Sequence, residues 1–268
     1  MRLYCNGQRA SAEDLAGALP NYGHFTSLQV RGGAVQGLDL HLDRLRQGTE
    51  ALFDSALDLA QVRAWMQHAL QSMTLADASL RVTVFSRRFD FRRPLRPVAV
   101  DVLVAVGAPV HMPADARRLR SVVYQRDLPQ FKHVGTFPLF EHRRRALQDG
   151  FDDALFVSDH GLIGEGTTWN IAFQRGQQIV WPQAPALRGT QERLLQAGFA
   201  ATLQQVRPVK LAELGDFDGA IACNSAGVWP IAGIDGQAFA ASEAFCQRAR
   251  GILETVPWQP VGGQGAAA

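Results

Sequence analysis

Residues Gly150–Phe173 read GFDDALFVSDHGLIGEGTTWNIAF. An apolar run at Asp153–Ser158 is broken at Gly161–Gly166 and resumes at Trp169–Gln174. Short apolar runs bounded by Gly and polar residues predict two strands joined by a turn, with Glu165 in the turn. Downstream, the pattern predicts a strand at Gln178–Trp181, a helix from near Gly189, and a strand at Ala220–Cys223. That strand runs into a loop at Asn224–Pro230, and a last helix covers about Ser242–Thr255. Upstream lie a strand at Leu119–Gln125 and a helix at Pro138–Asp149. Towards the N-terminus, strands are predicted at Met1–Asn6, Thr26–Arg31, Ser79–Ser86 and Val98–Val106. Leu38, Leu42, Leu45, Leu52 and Phe53 recur at helical spacing over about Asp39–Phe53, and a second helix follows around Leu59–Met73. Strands and helices mix without a regular βαβ alternation, so the expected class is α+β with two domains. The expected division is a smaller α/β domain over 1–108, a linker over 109–118 rich in turn residues, and a larger domain over 119–262 carrying Lys132. The Gly- and Ala-rich end, 263–268, is expected to be a disordered tail.

Composition narrows the chemistry. The 268 residues are 47% hydrophobic and carry a net charge of +2, which offers no argument for a nucleic-acid partner. No apolar run reaches the ~20 residues of a membrane span, and the N-terminus lacks the apolar core of a secretory signal, so a cytoplasmic protein is expected. Three scattered cysteines, Cys5, Cys223 and Cys246, form no ligand pair, and no metal site is expected. Cys223, ending an apolar strand, reads better as a small buried residue than as a nucleophile. Of 27 basic residues only Lys132 and Lys210 are lysine, leaving 25 arginines. Arginine stays protonated and forms no Schiff base, so lysine chemistry here has only these two candidates.

Four segments, taken in order and spacing, carry a resemblance: His41-Leu42-Asp43-Arg44-Leu45, Phe131-Lys132-His133, Gly164–Asn170, and Leu187-Arg188-Gly189-Thr190. Together they resemble the fold-type IV enzymes of pyridoxal 5′-phosphate (PLP), the class IV aminotransferase family, which includes branched-chain and D-amino acid aminotransferases and aminodeoxychorismate lyases. The resemblance runs from Asn6-Gly7 to Asn224–Ile231 and implies a two-domain fold like that of D-amino acid aminotransferase. It implies that Lys132 is catalytic, holding PLP as a Schiff base and shuttling the substrate's α-proton. Such a lysine must be partly deprotonated, which burial and nearby positive charge favour. Glu165 would face the pyridine nitrogen and keep it protonated, so that the ring accepts electrons. Gly164 and Gly166 would let the backbone approach the ring. Arg44, in its H-L-x-R-L setting, would contact the phosphate. Gly189, Thr190 and Gln191 open a predicted helix, whose N–H groups suit a phosphate. Asn224 and Ser225 resemble the family's second phosphate-binding turn.

Two departures bear on activity. Branched-chain enzymes carry a tyrosine five positions after the lysine, where this chain has Phe137. Their G-I-T-R turn is here Gly189-Thr190-Gln191-Glu192. The resemblance therefore implies an aminotransferase working between an amino substrate and a keto-acid acceptor. A pyruvate-eliminating lyase is the alternative, and a non-catalytic binding protein of the same fold is a third reading. For substrate contacts, Tyr22, His24 and Phe25 fall in the family's G-x-F-T-like segment. Arg88 and Arg92 belong to a loop, 87–97, where Arg87, Arg88, Arg92 and Arg93 could clamp a carboxylate or remain solvated. That loop and the resemblance together suggest a homodimer. Arg143-Arg144-Arg145 reads as one solvated helix face, and Lys210 as a surface residue.

Overall fold

In a computed structural model, residues 1–112 and 115–262 are described. The expected tail lies outside the described residues, as do two positions of the expected linker. The chain forms two compact units, the first comprising Met1–Val110, Phe131–Gly135 and the described residues from Pro257 onward, the second His111–Gln130 and Thr136–Val256.

The first unit is built on β1 (Arg2–Cys5), β2 (Gln8–Arg9), β3 (Gly23–Val30), β4 (Ala34–Gln36), β5 (Ala78–Phe85) and β6 (Asp101–Gly107). Five of these make a sheet in the order β2-β1-β6-β5-β3, in which β3 is an edge strand. Alternation sends Leu28, Val30, Leu80, Val82, Val104 and Val106 to one face. There they pack on Leu38, Leu42 and Leu45 of α2 (Leu38–Phe53) and on Val62 and Met66 of α3 (Leu59–Gln71). A short helix, α1 (Ala12–Ala18), carries a Ser11/Asp14 capping box that sequence patterning passed over.

The free edge of β3 is used. Phe25 N donates to Lys132 O at 2.9 Å and Val134 N to Gly23 O at 3.0 Å, with His24 and His133 directly opposed. This pairing corrects the expected boundary, since it draws Phe131–Gly135 and Lys132 into the first unit and away from a domain over 119–262. An unpaired strand edge is satisfied by a distant piece of chain, which local pattern does not reveal.

The second unit holds β7 (Arg117–Val123), α4 (Phe137–Gln148), β8 (Asp153–Val157), β9 (Ile163–Gly166), β10 (Asn170–Arg175), β11 (Gln178–Pro182), α5 (Thr190–Gly198), β12 (Gln204–Arg207), β13 (Gly219–Asn224), β14 (Gly227–Ile234), β15 (Gln237–Ala238) and α6 (Ser242–Glu254). The sheet runs β12-β11-β10-β13-β14-β7-β8-β9, with β15 added on β14. Its middle strands are buried on both faces. Ile171, Phe173 and Ala222 enter one apolar cluster, while Ala172, Ile221 and Cys223 enter another with Leu195 of α5 and Phe245 of α6. This two-sided burial explains why these strands read as continuous apolar runs.

Two expected loops are corrected. Glu165 lies on β9, paired with β8 through Leu155 and Gly166, and not in a turn. The expected loop Asn224–Pro230 is a tight hairpin in which Asn224 pairs with Gly227, and Pro230, inside β14, pairs with Ile221 of β13. Ala226 N donates to Asn224 Oδ1 at 2.8 Å, an Asx turn that replaces a longer loop. Among the described residues no helix is long and apolar enough to cross a membrane.

Candidate active site

In the first unit, Lys132 and Phe25 sit opposite each other on the sheet face away from α2, with Lys132 Nζ 5.1 Å from the centre of the Phe25 ring. Arg81 pairs with Ser27 on β5 and so projects to the same face, where its guanidinium carbon lies 3.5 Å from the same ring centre. Burial lowers the Arg81 pKa. In sequence Arg81 shows only as the one charge in the expected apolar strand Ser79–Ser86.

His24 alternates to the opposite face and leaves the proposed pocket. It is buried, with Nε2 3.1 Å from Thr49 Oγ1. Thr49 Oγ1 itself donates to Leu45 O at 2.8 Å, so it accepts from His24 and places the histidine's proton on Nε2. His41 is buried on α2, its Nδ1 2.6 Å from Thr26 Oγ1. Its pKa is pushed down to about 3 by burial and then by the positive charges of Arg44 and Lys132. Both expected cations therefore lie within electrostatic reach of one side chain. Arg44 is half-buried.

The arginine loop divides in function. Arg87 turns to its base and donates to Asp14 Oδ1 at 2.8 Å and Asp101 Oδ1 at 2.9 Å, so it anchors the loop and is not a ligand clamp. Phe89 stacks on Tyr22 with ring centres 4.0 Å apart, and Tyr22 OH donates to Leu52 O at 2.8 Å. Tyr22 thus braces the loop. Arg88 and Arg92 are exposed, Arg92 lying over Phe91 at 4.7 Å.

In the second unit Glu165 is 4% exposed and Arg126 likewise 4%. Arg126 Nε and Nη2 donate to the two carboxylate oxygens at 3.0 and 3.4 Å. A carboxylate this deeply buried needs paired donors to stay charged, and the bidentate Arg126 supplies them. Nothing in the local sequence singles out Arg126. The pair walls a cleft of about 270 Å³, lined also by Tyr124, Phe156, Gly164 and Pro185. A Cβ on Gly164 would have ordinary room, whereas one on Gly166 would meet the Trp169 ring at 1.9 Å. The glycine at 166 is therefore required by Trp169, a correction to the expected ligand approach.

Asn170 joins the expected phosphate segment to β10. Its Nδ2 donates to Leu187 O at 2.7 Å and its Oδ1 accepts from Gly189 N at 3.1 Å. Gly189 must be glycine, because a Cβ would lie 2.3 Å from Asn170 Oδ1. As N-cap of α5 it leaves the N–H groups of Thr190 and Gln191, both buried, without intrahelical acceptors. Glu192 folds back on Gly189 N at 3.2 Å and pairs with Arg188 at 2.9 Å; burial raises its pKa against that pairing. Asn224 Nδ2 donates to Thr168 O at 3.3 Å, and Ser225 is half-buried beside it in the hairpin. The second unit thus brings Glu165, Gly189–Gln191 and Asn224–Ser225 onto one framework around residues 165–170.

The remaining candidates fall elsewhere. Lys210 is exposed. Arg144 and Arg145 are solvated and share Glu141, but Arg143 departs from that face, its Nε 3.7 Å from Asp153 Oδ2. Cys223 is buried, and burial pushes its thiol well above the ordinary range, which leaves it a core residue. Phe137 is 76% exposed.

Residues 23–234 match the family model of amino-transferase class IV. The chain belongs to the class IV aminotransferase family, a family of enzymes, and has its α+β, fold-type IV architecture. Among solved structures it is similar to a branched-chain aminotransferase from Thermoproteus uzoniensis, with 18% identity over 97% of this chain and 99% of that one and a TM-score of 0.83. A hypothetical aminotransferase from Mycobacterium tuberculosis, in a PLP-bound form, shares 21% identity over 94% and 98% of the two chains, with a TM-score of 0.76. A Legionella pneumophila protein, provisionally assigned as a 4-amino-4-deoxychorismate lyase, shares 18% identity over 88% and 91%, with a TM-score of 0.77. At such identities the likeness speaks to fold alone. No curated protein matches the chain in sequence.

Proposed function

We propose that this enzyme is a PLP-dependent aminotransferase that exchanges an amino group between an amino substrate and a keto acid, with Lys132 as the residue that holds the cofactor. The observation that carries the reading is the buried Glu165, an acceptor for a protonated pyridine nitrogen that Arg126 holds in one orientation. The donor set fits PLP. One lysine amine stands on a sheet face, one buried carboxylate is held in place, and the N–H groups of Thr190 and Gln191 suit a phosphate. The Asn224–Ser225 turn and Arg44 complete the phosphate contacts in this reading. When bound, PLP supplies an electron sink for the substrate's α-carbon. Lys132 Nζ would take the α-proton and deliver it to the cofactor's C4′ carbon, the shift that amino-group exchange requires. Glu165 holds the proton of the ring nitrogen, and Arg126 holds Glu165. Arg81, ordered on Phe25, is a better placed cation for a substrate carboxylate than exposed Arg88 or Arg92.

Borohydride reduction of PLP-saturated protein followed by peptide mapping is expected to place the pyridoxyl group on Lys132. Label on Lys210, or none, would overturn the reading. Arg44→Ala is expected to weaken PLP binding by ~1.5–3 kcal/mol, the worth of a hydrogen bond to a charged group. The chemical step at saturating cofactor should change less, and a titration showing unchanged affinity would return Arg44 to the solvated helix surface.

The lyase alternative is favoured by Phe137, whose side chain is exposed where branched-chain enzymes carry a tyrosine. Parallel assays of keto-acid exchange and of pyruvate release over one substrate panel separate the two. The exposed tip of loop 87–97, with Phe91, Leu95, Arg88, Arg92, Arg93 and Arg96, supports a homodimer in which the tip is covered. Sedimentation at working concentration should show a dimer, and a fully active monomer would refute it.

A further inference from the structure

We infer that Asp153 is a positioning residue for the cofactor cradle, holding from the neighbouring strand the turn that presents Glu165; the inference rests on the PLP reading above. Asp153 opens β8 and is 1% exposed. Its Oδ1 accepts from Thr167 Oγ1 at 2.7 Å and its Oδ2 from Trp169 Nε1 at 3.0 Å. Ala154 N adds a third donor to Oδ1 at 2.8 Å, and Arg143 stands 3.7 Å from Oδ2.

Both clamped side chains, Thr167 and Trp169, are buried and lie between Glu165 and Asn170. The turn is closed by Gly166 N donating to Trp169 O at 2.8 Å, with the Trp169 ring filling the space where residue 166 has no Cβ. Three functional attachments leave this turn. Glu165 precedes it, Thr168 O receives Asn224 Nδ2, and Asn170 holds Leu187 O and Gly189 N. A buried carboxylate accepting three donors is a rigid fixture, because rotating it would leave charged and polar groups unpaired in a dry interior. Asp153 therefore fixes the carboxylate and, through Asn170 and Asn224, both expected phosphate segments. A purely architectural acid would govern folding stability alone. A positioning acid must also govern cofactor affinity and the chemical step, since small misplacements of catalytic groups are costly.

The test uses the full-length PLP-loaded protein and the variants Thr167→Val, Thr167→Ser and Asp153→Asn. Valine keeps the shape and removes the hydroxyl, whereas serine keeps the hydroxyl. Three readouts are taken: PLP affinity by titration of the apoprotein, the pH dependence of the bound cofactor's visible absorbance, and the rate and KM of the half-reaction with an amino donor. Thr167→Val is expected to weaken PLP binding and slow the maximal half-reaction rate, each by about tenfold, to shift the absorbance titration, and to leave the donor KM unchanged. Thr167→Ser should restore all of these, and Asp153→Asn should follow the valine variant. Wild-type affinity, titration and rate in Thr167→Val, even with a lowered melting temperature, would overturn the inference, as would a serine variant as impaired as valine. If Asp153→Asn does not fold, the Thr167 pair decides. A wild-type chain that takes up no PLP on Lys132 sinks the PLP reading itself, whereas a loaded wild type with unaffected variants sinks only this inference.

Discussion

Glu165→Gln is expected to slow the single-turnover half-reaction with an amino donor by roughly 10²–10³, equivalent to ~2.7–4 kcal/mol, the range for removing one electrostatic stabiliser from a site. Glutamine keeps the size and hydrogen-bonding capacity of the side chain and removes its charge. In the proposed site the ring nitrogen would then lose the group that favours its protonated form, while Lys132 and the proposed phosphate contacts would remain to hold PLP. Stability should fall as well, because Arg126 is left buried without its carboxylate partner, and breaking such a pair from one side costs ~3–5 kcal/mol. The rate must therefore be measured where circular dichroism shows the variant folded, beside PLP occupancy. Full occupancy with an unchanged rate would show that Glu165 serves only to neutralise Arg126.

Acid should destabilise the fold well above the range where its carboxylates titrate. Burial pushes the His24 pKa down to about 4 and that of His41 to about 3. His24 has its proton on Nε2, and its Nδ1 is buried without a hydrogen-bond partner among the described residues, so a second proton would create an unmet donor in the core. Both histidines stay neutral in the folded state while the unfolded chain protonates near pH ~6.5. The unfolded state thus binds more protons as pH falls, and stability is lost from pH ~6.5 down to the folded values. At ~1.36 kcal/mol per unit, each histidine costs ~2 kcal/mol by pH 5, or ~4 kcal/mol together. His142, whose pKa is also lowered by burial, acts in the same direction. Glu192, whose pKa burial raises, acts against it. Asp14, Asp101, Glu141 and Glu213 have lowered pKa values, and their losses come only at lower pH, below the usual carboxylate range near ~4. Denaturant unfolding at pH 7.5 and pH 5 measures the difference. His24→Leu should remove about half of it, and equal stability at both pH values would contradict the account.

These expectations divide according to how local their causes are. Helix α2, the strands β5, β8, β10 and β11, and the start of α5 at Gly189 were legible because alternating or helically spaced apolar residues report burial one element at a time. The strand β9 was missed since Ile163–Gly166 is short and carries two glycines, and it is a strand only through its pairing with β8. The Asn224 hairpin was missed because its closure depends on the Asx turn at Ala226.

The site shows the same division. The sequence by itself determined which lysine could do Schiff-base chemistry, since only two exist, and which short segments could surround a phosphate and a pyridine ring. Tertiary structure alone decided that Lys132 joins the edge of β3, that Arg81 shares its sheet face, that Arg87 is an anchor while Arg88 and Arg92 are exposed, and that Arg126 and Asp153 stand behind Glu165 and its turn. The physical reason is distance along the chain. Each of those contacts joins residues far apart in sequence, whose charges and hydrogen bonds act only once folding has removed the water between them, and local periodicity carries no trace of such partners.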